Sequence, residues 1–525
     1  MSQAVSQTPS QPGTAATRKL ARHGSANLAG ALVTAIAGFA TVVVVTRAVG
    51  KAEAGAFFSA TSLFLILCSI ARLGTPTGVV WALARYRALG QRERIVPVLR
   101  TSLVPIAVLG VVAGIVMLLM DPRSAAVLLR TDGSAGDAGF VSMVRALALF
   151  VPVAVVYDTL TAATRGFGNM RATVLVERVG RPAGQLALLG AAALGSSAVW
   201  LTAAWALPYL PAFAVTVAML VRLVRRDEHG IDGGGIDGEP VAAPAESVRR
   251  EFWRFTAPRS LATVAQMASQ RLDIVLVGAL RGPIEAALYT AATRFLVVGQ
   301  TAGLALSMSA QPLLGSLLAR DDHAEANRVY RTATAWLVIV TWPLYLAMLV
   351  GGPVLLSIFG SGYEAGLPVM AILSLSMLVA TACGMVDMVL TMAGKTTWNL
   401  ANTLLALGVQ IGLDLLLIPD HGILGAAWGW AAAIVVRNVV ALVQIGVSTG
   451  MNPFGRATLV AGALAAGCFG AVPGLARWAL GGSVAVVFGS LVLGGLAYLG
   501  ALYGARHVLE LRQLPLPRKL RRLLK

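Results

Sequence analysis

The chain has 525 residues, of which 57% are hydrophobic and 13% charged, and its mean hydropathy is +0.75. A soluble globular domain carries about 25% charged residues, so this composition excludes one and places the chain in a bilayer. The net charge of +18 has no compact basic domain outside the apolar runs to carry it, which argues against nucleic acid as a partner.

In chain order, residues 1–22 are rich in Ser, Gln, Thr and Pro and uncharged before Arg18. They are predicted to be a disordered cytoplasmic tail and not a signal peptide. Apolar runs follow near 25–47, 55–80, 99–120, 139–163, 172–195, 199–224, 256–279, 286–312, 332–358, 364–392, 398–418, 423–448, 456–476 and 484–505. Each is long enough, at about 20 residues, to cross about 30 Å of hydrocarbon as a helix. The fold class predicted is an all-α polytopic membrane protein of about 14 transmembrane helices. Its parts are a first six-helix lobe over 23–226, a polar, glycine-rich linker over 227–250, and a second six-helix lobe over 251–450. Helices thirteen and fourteen occupy 451–505, and a basic cytoplasmic tail occupies 506–525.

Orientation comes from the arginines. With a cytoplasmic amino terminus, the inner segments collect Arg85, Arg87, Arg92, Arg94, Arg225, Arg226, Arg249, Arg250, Arg320, Arg328 and Arg331, while the outer loops keep little more than Lys51, Arg123, Arg130, Arg281 and Arg477. This obeys the positive-inside rule with both termini cytoplasmic. Only five of the 42 basic residues are lysine, a bias typical of GC-rich bacterial genomes, so the predicted location is a bacterial plasma membrane.

The two halves repeat. Gly50 to Ala60 (GKAEAGAFFSA) aligns with Gly282 to Ala292 (GPIEAALYTAA) at an offset of 232, and Arg165 to Met170 aligns with Met392 to Thr397 at an offset of 227. Two like-oriented bundles create a cavity between repeats that can open to either side in turn.

No enzyme chemistry is legible. Five scattered histidines and three cysteines in apolar runs, Cys68, Cys383 and Cys468, offer neither metal-ligand spacing nor a disulfide framework. The linker glycines lack the Gly-Lys-Ser/Thr of a phosphate loop. The longest outer loop, about Asp121 to Gly139, offers only Asp132 and Asp137, too little for glycosyl chemistry. Neither a catalytic residue, a metal nor a cofactor is predicted.

An ionisable group inside a span costs a few kcal/mol and tends to face a wet cavity or a partner. Such groups are the site candidates. The cationic cavity candidates are Arg294, Arg72, Arg437, Arg47 and Arg271; the ion-coupling candidates are Asp273, Asp158 and Asp387. Glu177, Arg178, Arg181, Arg259 and Asp414 are further intramembrane charges, with Glu177 and Arg181 spaced to neutralise one another on a regular helix. Arginine in excess suits a diphosphate, because guanidinium forks bind phosphate oxygens in a bidentate way.

These residues carry a family resemblance. The run from Val45 to Gly50 into Ala54 to Ala60, Leu73-Gly74-Thr75-Pro76, Asp273 to Gly278 followed by Ala287 to Arg294, and Gln311-Pro312 resemble the Wzx-type polysaccharide flippases of the multidrug/oligosaccharidyl-lipid/polysaccharide exporter superfamily. The resemblance covers about residues 20–505. It implies a V-shaped pair of lobes around a central cationic cavity that moves a polyprenyl-diphosphate-linked oligosaccharide to the outer leaflet. The implied partners are that anionic glycolipid, membrane lipids, and glycosyltransferases or a polymerase of the same pathway. Arg294 falls where the related lipid II flippases also carry an arginine; their arginine-rich second span is reduced here to Arg72. The alternatives are a lipid II flippase and a cation-coupled multidrug antiporter.

Overall fold

The computed structural model describes residues 14–121, 135–195, 197–228, 245–481 and 483–510. The chain is an all-helical, polytopic membrane protein, with no strand among the described residues. Among the described residues the helices group into fourteen rods. Ten of the described helices are long and apolar enough to cross a bilayer on their own, and the bent pair in the fourth rod makes eleven. The fifth, seventh and eighth rods fall short by that measure. They carry Glu177 and Arg178, Arg271 and Asp273, and Arg294, so the apolar character drops where the helices hold intramembrane charge.

The first span runs from Thr14 to Ala48, so the helix begins inside the segment expected to be a tail. Ala15, Ala16, Lys19, Leu20 and Ala21 are strong helix formers, which favours this extension. Residues 1–13, most of the linker (229–244), most of the loop after Asp121 (122–134, with Asp132) and the tail from 511 lie outside the described residues. The second span is broken. Lys51–Ala71 ends at Leu73 and Gly74, both at positive φ, and a new helix, Thr75–Ala88, starts with Pro76 in its first turn. Gly74 is required twice over, since φ is +68° and a Cβ there would lie 2.8 Å from Ser260 Cα.

The third span is Ile95–Leu118. The fourth bends by 45° between Gly139–Ala148 and Val151–Gly166, where Pro152 opens the second piece. The fifth is unusual: Ala172–Gly180 is a π-helix that passes into Arg181–Ala192. The sixth combines Ala198–Ala206 and Tyr209–Glu228. In the second lobe the seventh to ninth spans are unbroken: Ala245–Arg281, Pro283–Leu318 and His323–Ser357. The tenth divides at Gly384 into Leu367–Ala382 and Val386–Met392. Thr396–His421 and Ile423–Thr449 form the eleventh and twelfth. The thirteenth, Arg456 to Leu480, contains a short π-turn, and Val484–Gly504 is the fourteenth. These last two pack on the outside of the ninth.

With fourteen rods, the start of the first at Thr14 and the end of the last at Gly504 fall at one end of the bundle, called here the terminus-bearing end; the other is the distal end. The lobes meet where the second span lies against the seventh and eighth, with the first against the eighth. At the distal end the two repeated segments lie on each other. A Cβ on Gly55 would overlap the Pro283 carbonyl, and Gly278 faces Ser59. At the other end Gly78 leaves no room for a side chain beside Thr256 and Phe252. Small residues thus let backbones approach closely across the lobes, as helix association in lipid requires. Large apolar side chains such as Val104, Val108, Leu416, Phe488 and Leu496 point outward and exposed, which is the pattern of a lipid-facing surface.

Candidate functional site

The charged residues separate into two kinds of environment. In the first lobe they find one another. Arg72, at the break in the second span, forms an ion pair with Asp158 of the fourth and donates from Nε to the Cys68 carbonyl at 3.1 Å. Thr75 and Thr159 hydroxyls meet at 3.0 Å beside that pair. Glu177 pairs with Arg165 at 3.4 Å, while Arg181 turns to the Tyr209 hydroxyl at 3.2 Å and stacks over its ring. The i, i+4 pairing expected of Glu177 and Arg181 does not form, because the wider π-turn ahead of Arg181 rotates the two out of register. Arg47 is exposed at the distal end and donates to the Ser357 and Ile358 carbonyls at 2.9 and 2.8 Å, clamping the first span to the ninth.

In the second lobe a cavity of about 670 Å³ opens between the seventh to twelfth spans, and five of the candidates line it: Arg271, Asp273, Arg294, Asp387 and Arg437. Arg47, Arg72 and Asp158 do not. Arg437 of the twelfth span donates to Asp387 of the tenth at 2.7 Å. Arg271 and Arg294 are different. Neither makes a hydrogen bond or ion pair to a described residue, and each lies close enough to the other for repulsion. They come from adjacent helices, so two guanidinium groups project into one space. Asp273 is near both and its charge offsets part of theirs, although its hydrogen bonds go elsewhere: the carboxylate accepts from the Tyr289 hydroxyl at 2.6 Å and from the Ile274 N–H at 2.8 Å. Tyr345, Gln300, Thr293 and Asn438 add neutral donors and acceptors to the walls. The lining thus sets three arginines, Arg271, Arg294 and Arg437, against two aspartates, Asp273 and Asp387, an excess of one positive charge within a polar enclosure that suits an anion.

Beneath it lies a residue noted in the sequence only as one charge among many. Asp414 of the eleventh span is fully buried, and neither carboxylate oxygen has a hydrogen-bond partner among the described residues. It lies within electrostatic reach of Asp273 and Tyr289. Gly429 of the twelfth span presses on it so closely that a Cβ there would overlap Oδ1. One turn earlier, Gln410 ties the eleventh span to the seventh through Ser269, with bonds of 2.7 and 3.2 Å. Two buried carboxylates thus lie within reach of one another, Asp273 in the cavity wall and Asp414 outside it. No group of metal-ligating side chains is found among the described residues.

Residues 20–318 match the family described as polysaccharide biosynthesis protein. The chain belongs to that family. A second family, MatE, matches residues 258–416, which lie within the lobe that holds the cavity. No curated protein matches the sequence. Among solved structures, the lipid II flippase MurJ in an inward closed conformation is similar with a TM-score of 0.68 at 11% identity, covering 91% of this chain and 99% of that one. A multidrug resistance MATE family transporter of the MOP superfamily, in its inward-facing conformation, gives 0.64 at 15% identity, over 81% of this chain and 98% of that one. A MOP superfamily transporter from Pyrococcus furiosus, described as having a binding pocket of reverse polarity, gives 0.53 at 15% identity, over 82% and 95%. The polysaccharide biosynthesis family member described here therefore has the fold of the MOP superfamily transporters and flippases.

Proposed function

We propose that the protein is a flippase that carries a polyprenyl-diphosphate-linked oligosaccharide from the cytoplasmic to the outer leaflet of a bacterial plasma membrane. Its termini are cytoplasmic, it works by alternating access, and it makes or breaks no covalent bond. The observation that carries this reading is the convergence of Arg271 and Arg294 in one cavity, neither with a hydrogen bond or ion pair to a described residue and with Asp273 as the carboxylate near both. A cationic drug would be repelled there; a diphosphate would be held by two forks. The neutral walls at Gln300, Thr293 and Asn438 suit the hydroxyl groups of a glycan.

Coupling to an ion gradient falls to Asp273 and Asp414. A buried carboxylate without a partner is costly when charged, so Asp414 takes up a proton or a cation when its surroundings are wetted from one side and releases it on the other. Asp387 is held by Arg437 and Asp158 by Arg72, which makes both poorer carriers.

The test is a lipid extraction from a strain lacking the gene, read by mass spectrometry. Build-up of a polyprenyl-diphosphate oligosaccharide that the intact gene reverses is the expected result. Build-up of the peptidoglycan precursor would reassign the protein as a lipid II flippase. New sensitivity to cationic drugs with no lipid accumulation would replace the reading with a drug antiporter.

A further inference from the structure

A second cationic concavity, of about 830 Å³, lies toward the terminus-bearing end of the seam between the lobes and shares no lining residue with the cavity of the second lobe. Trp81 and Arg85 come from the second span and Arg250, Glu251, Arg254, Phe255 and Arg259 from the start of the seventh. From Arg259 to Gln266, the first residue of that cavity along the seventh span, there are seven residues, or about 10 Å of helix, and no residue lines both sites. The floor is aromatic, with Trp81 and Phe255 stacked at 4.0 Å and nearly parallel.

Four guanidinium groups share one carboxylate here, and that carboxylate is already engaged. Glu251 accepts from the Tyr86 hydroxyl at 2.7 Å and pairs with Arg85 at 3.4 Å and Arg94 at 4.0 Å. Arg259 donates to the Phe255 carbonyl at 3.0 Å and lies over that ring. Arg250 and Arg254, one turn apart and both exposed, make no hydrogen bond or ion pair to a described residue. Arginines that serve only to fix topology are spread around a helix and face water. These converge from two lobes on one hollow.

We propose that this hollow binds a lipid-borne phosphate of the cytoplasmic leaflet, held by Arg85 of one lobe and by Arg250 and Arg254 of the other. The placement rests on the cytoplasmic orientation proposed above, but not on the transported substrate. Planar guanidinium groups suit a phosphate, and basic clusters beside a membrane draw anionic head groups. A phosphate bridging Arg85 to Arg254 adds a tie between the lobes next to the Glu251 clamp, so anionic lipid favours the state in which this end is closed.

The experiment uses the full chain in nanodiscs of phosphatidylcholine, titrated with phosphatidylglycerol and read by native mass spectrometry. Two variants of equal net charge are compared with the unmodified protein: Arg250→Gln with Arg254→Gln in the hollow, and Arg320→Gln with Arg328→Gln elsewhere at the same end. The hollow variant should bind phosphatidylglycerol about tenfold more weakly, with its melting temperature in phosphatidylcholine alone unchanged and the second variant near the unmodified protein. Equal affinity in all three, or an equal loss in both variants, overturns the site, the latter by showing diffuse attraction. Retention of the lipid against soluble pyrophosphate supports a lipid-borne ligand, and displacement by it overturns that assignment. None of these outcomes depends on transport, so they stand apart from a failure of the flippase reading.

Discussion

The two lobes share a fold and use their intramembrane charges in opposite ways. In the first, Arg72 meets Asp158, Arg165 meets Glu177 and Arg181 meets Tyr209, so its charge is spent in holding spans to each other. In the second, Arg437 and Asp387 repeat that habit, but Arg271, Arg294 and Asp414 are left without a bond to a described residue. The carboxylates Asp158 and Asp387 occupy nearly corresponding positions in the repeat, yet the first draws its arginine from the second span and the second from the twelfth. After duplication, one half can serve as the rigid frame while the other keeps its charge available for a ligand.

Four substitutions would break or sharpen that contrast, in descending order of effect on transport. Arg294→Ala should lower flipping about a hundredfold, the loss of one or two charge-assisted bonds, while membrane levels stay normal; a lipid-flipping assay in vesicles checks it, and normal flipping removes Arg294 from the site. Asp414→Asn should cost at least about tenfold of the stimulation by an imposed ion gradient while leaving the amount of folded protein unchanged, measured as flipping with and without the gradient. Stimulation equal to that of the unmodified protein would show that Asp414 does not couple.

Arg72→Ala should act on stability instead. Removing one partner of a largely enclosed pair leaves a lone carboxylate, at a cost of about 3 kcal/mol, and thermal unfolding in detergent should reveal it. The double substitution Arg72→Met with Asp158→Leu should recover most of that loss, and if it does not, the pair has a role beyond holding the lobe together. Smallest is Arg47→Ala, an exposed clamp to neutral carbonyls, for which a change of about twofold or less in transport rate is expected.

Much of the fold could be read from the chain because bilayer helices announce themselves by length, and because the segment Gly50 to Ala60 recurs at Gly282 to Ala292. That repeat proved to be a contact: the two copies lie on each other at the distal seam. The site was less legible. Intramembrane arginines stand out against an apolar background, so Arg271 and Arg294 could be named, but whether each is paired depends on residues far away in sequence. Arg72 and Asp158 are 86 positions apart and Arg437 and Asp387 are 50 apart. Asp414 resembled any other carboxylate until its neighbours Gly429 and Gln410 closed around it. Helical spacing failed at Glu177 and Arg181, since a π-turn leaves no mark in hydropathy that a regular helix would lack.

The seam between the lobes is built differently at its two ends. At the distal end it has backbone against backbone, at Gly55 and Pro283, with Arg47 bonded to neutral carbonyls; at the other the close contact of Gly78 is joined by the charge pairs of Glu251 with Arg85 and Arg94. Dissolved ions screen attraction between opposite charges over about 8 Å at physiological strength, and they do little to a glycine lying on a carbonyl. Raising the ionic strength should therefore weaken the seam at one end of the bundle more than at the other, which on the proposed flippase reading makes salt a selective handle on one half of the cycle.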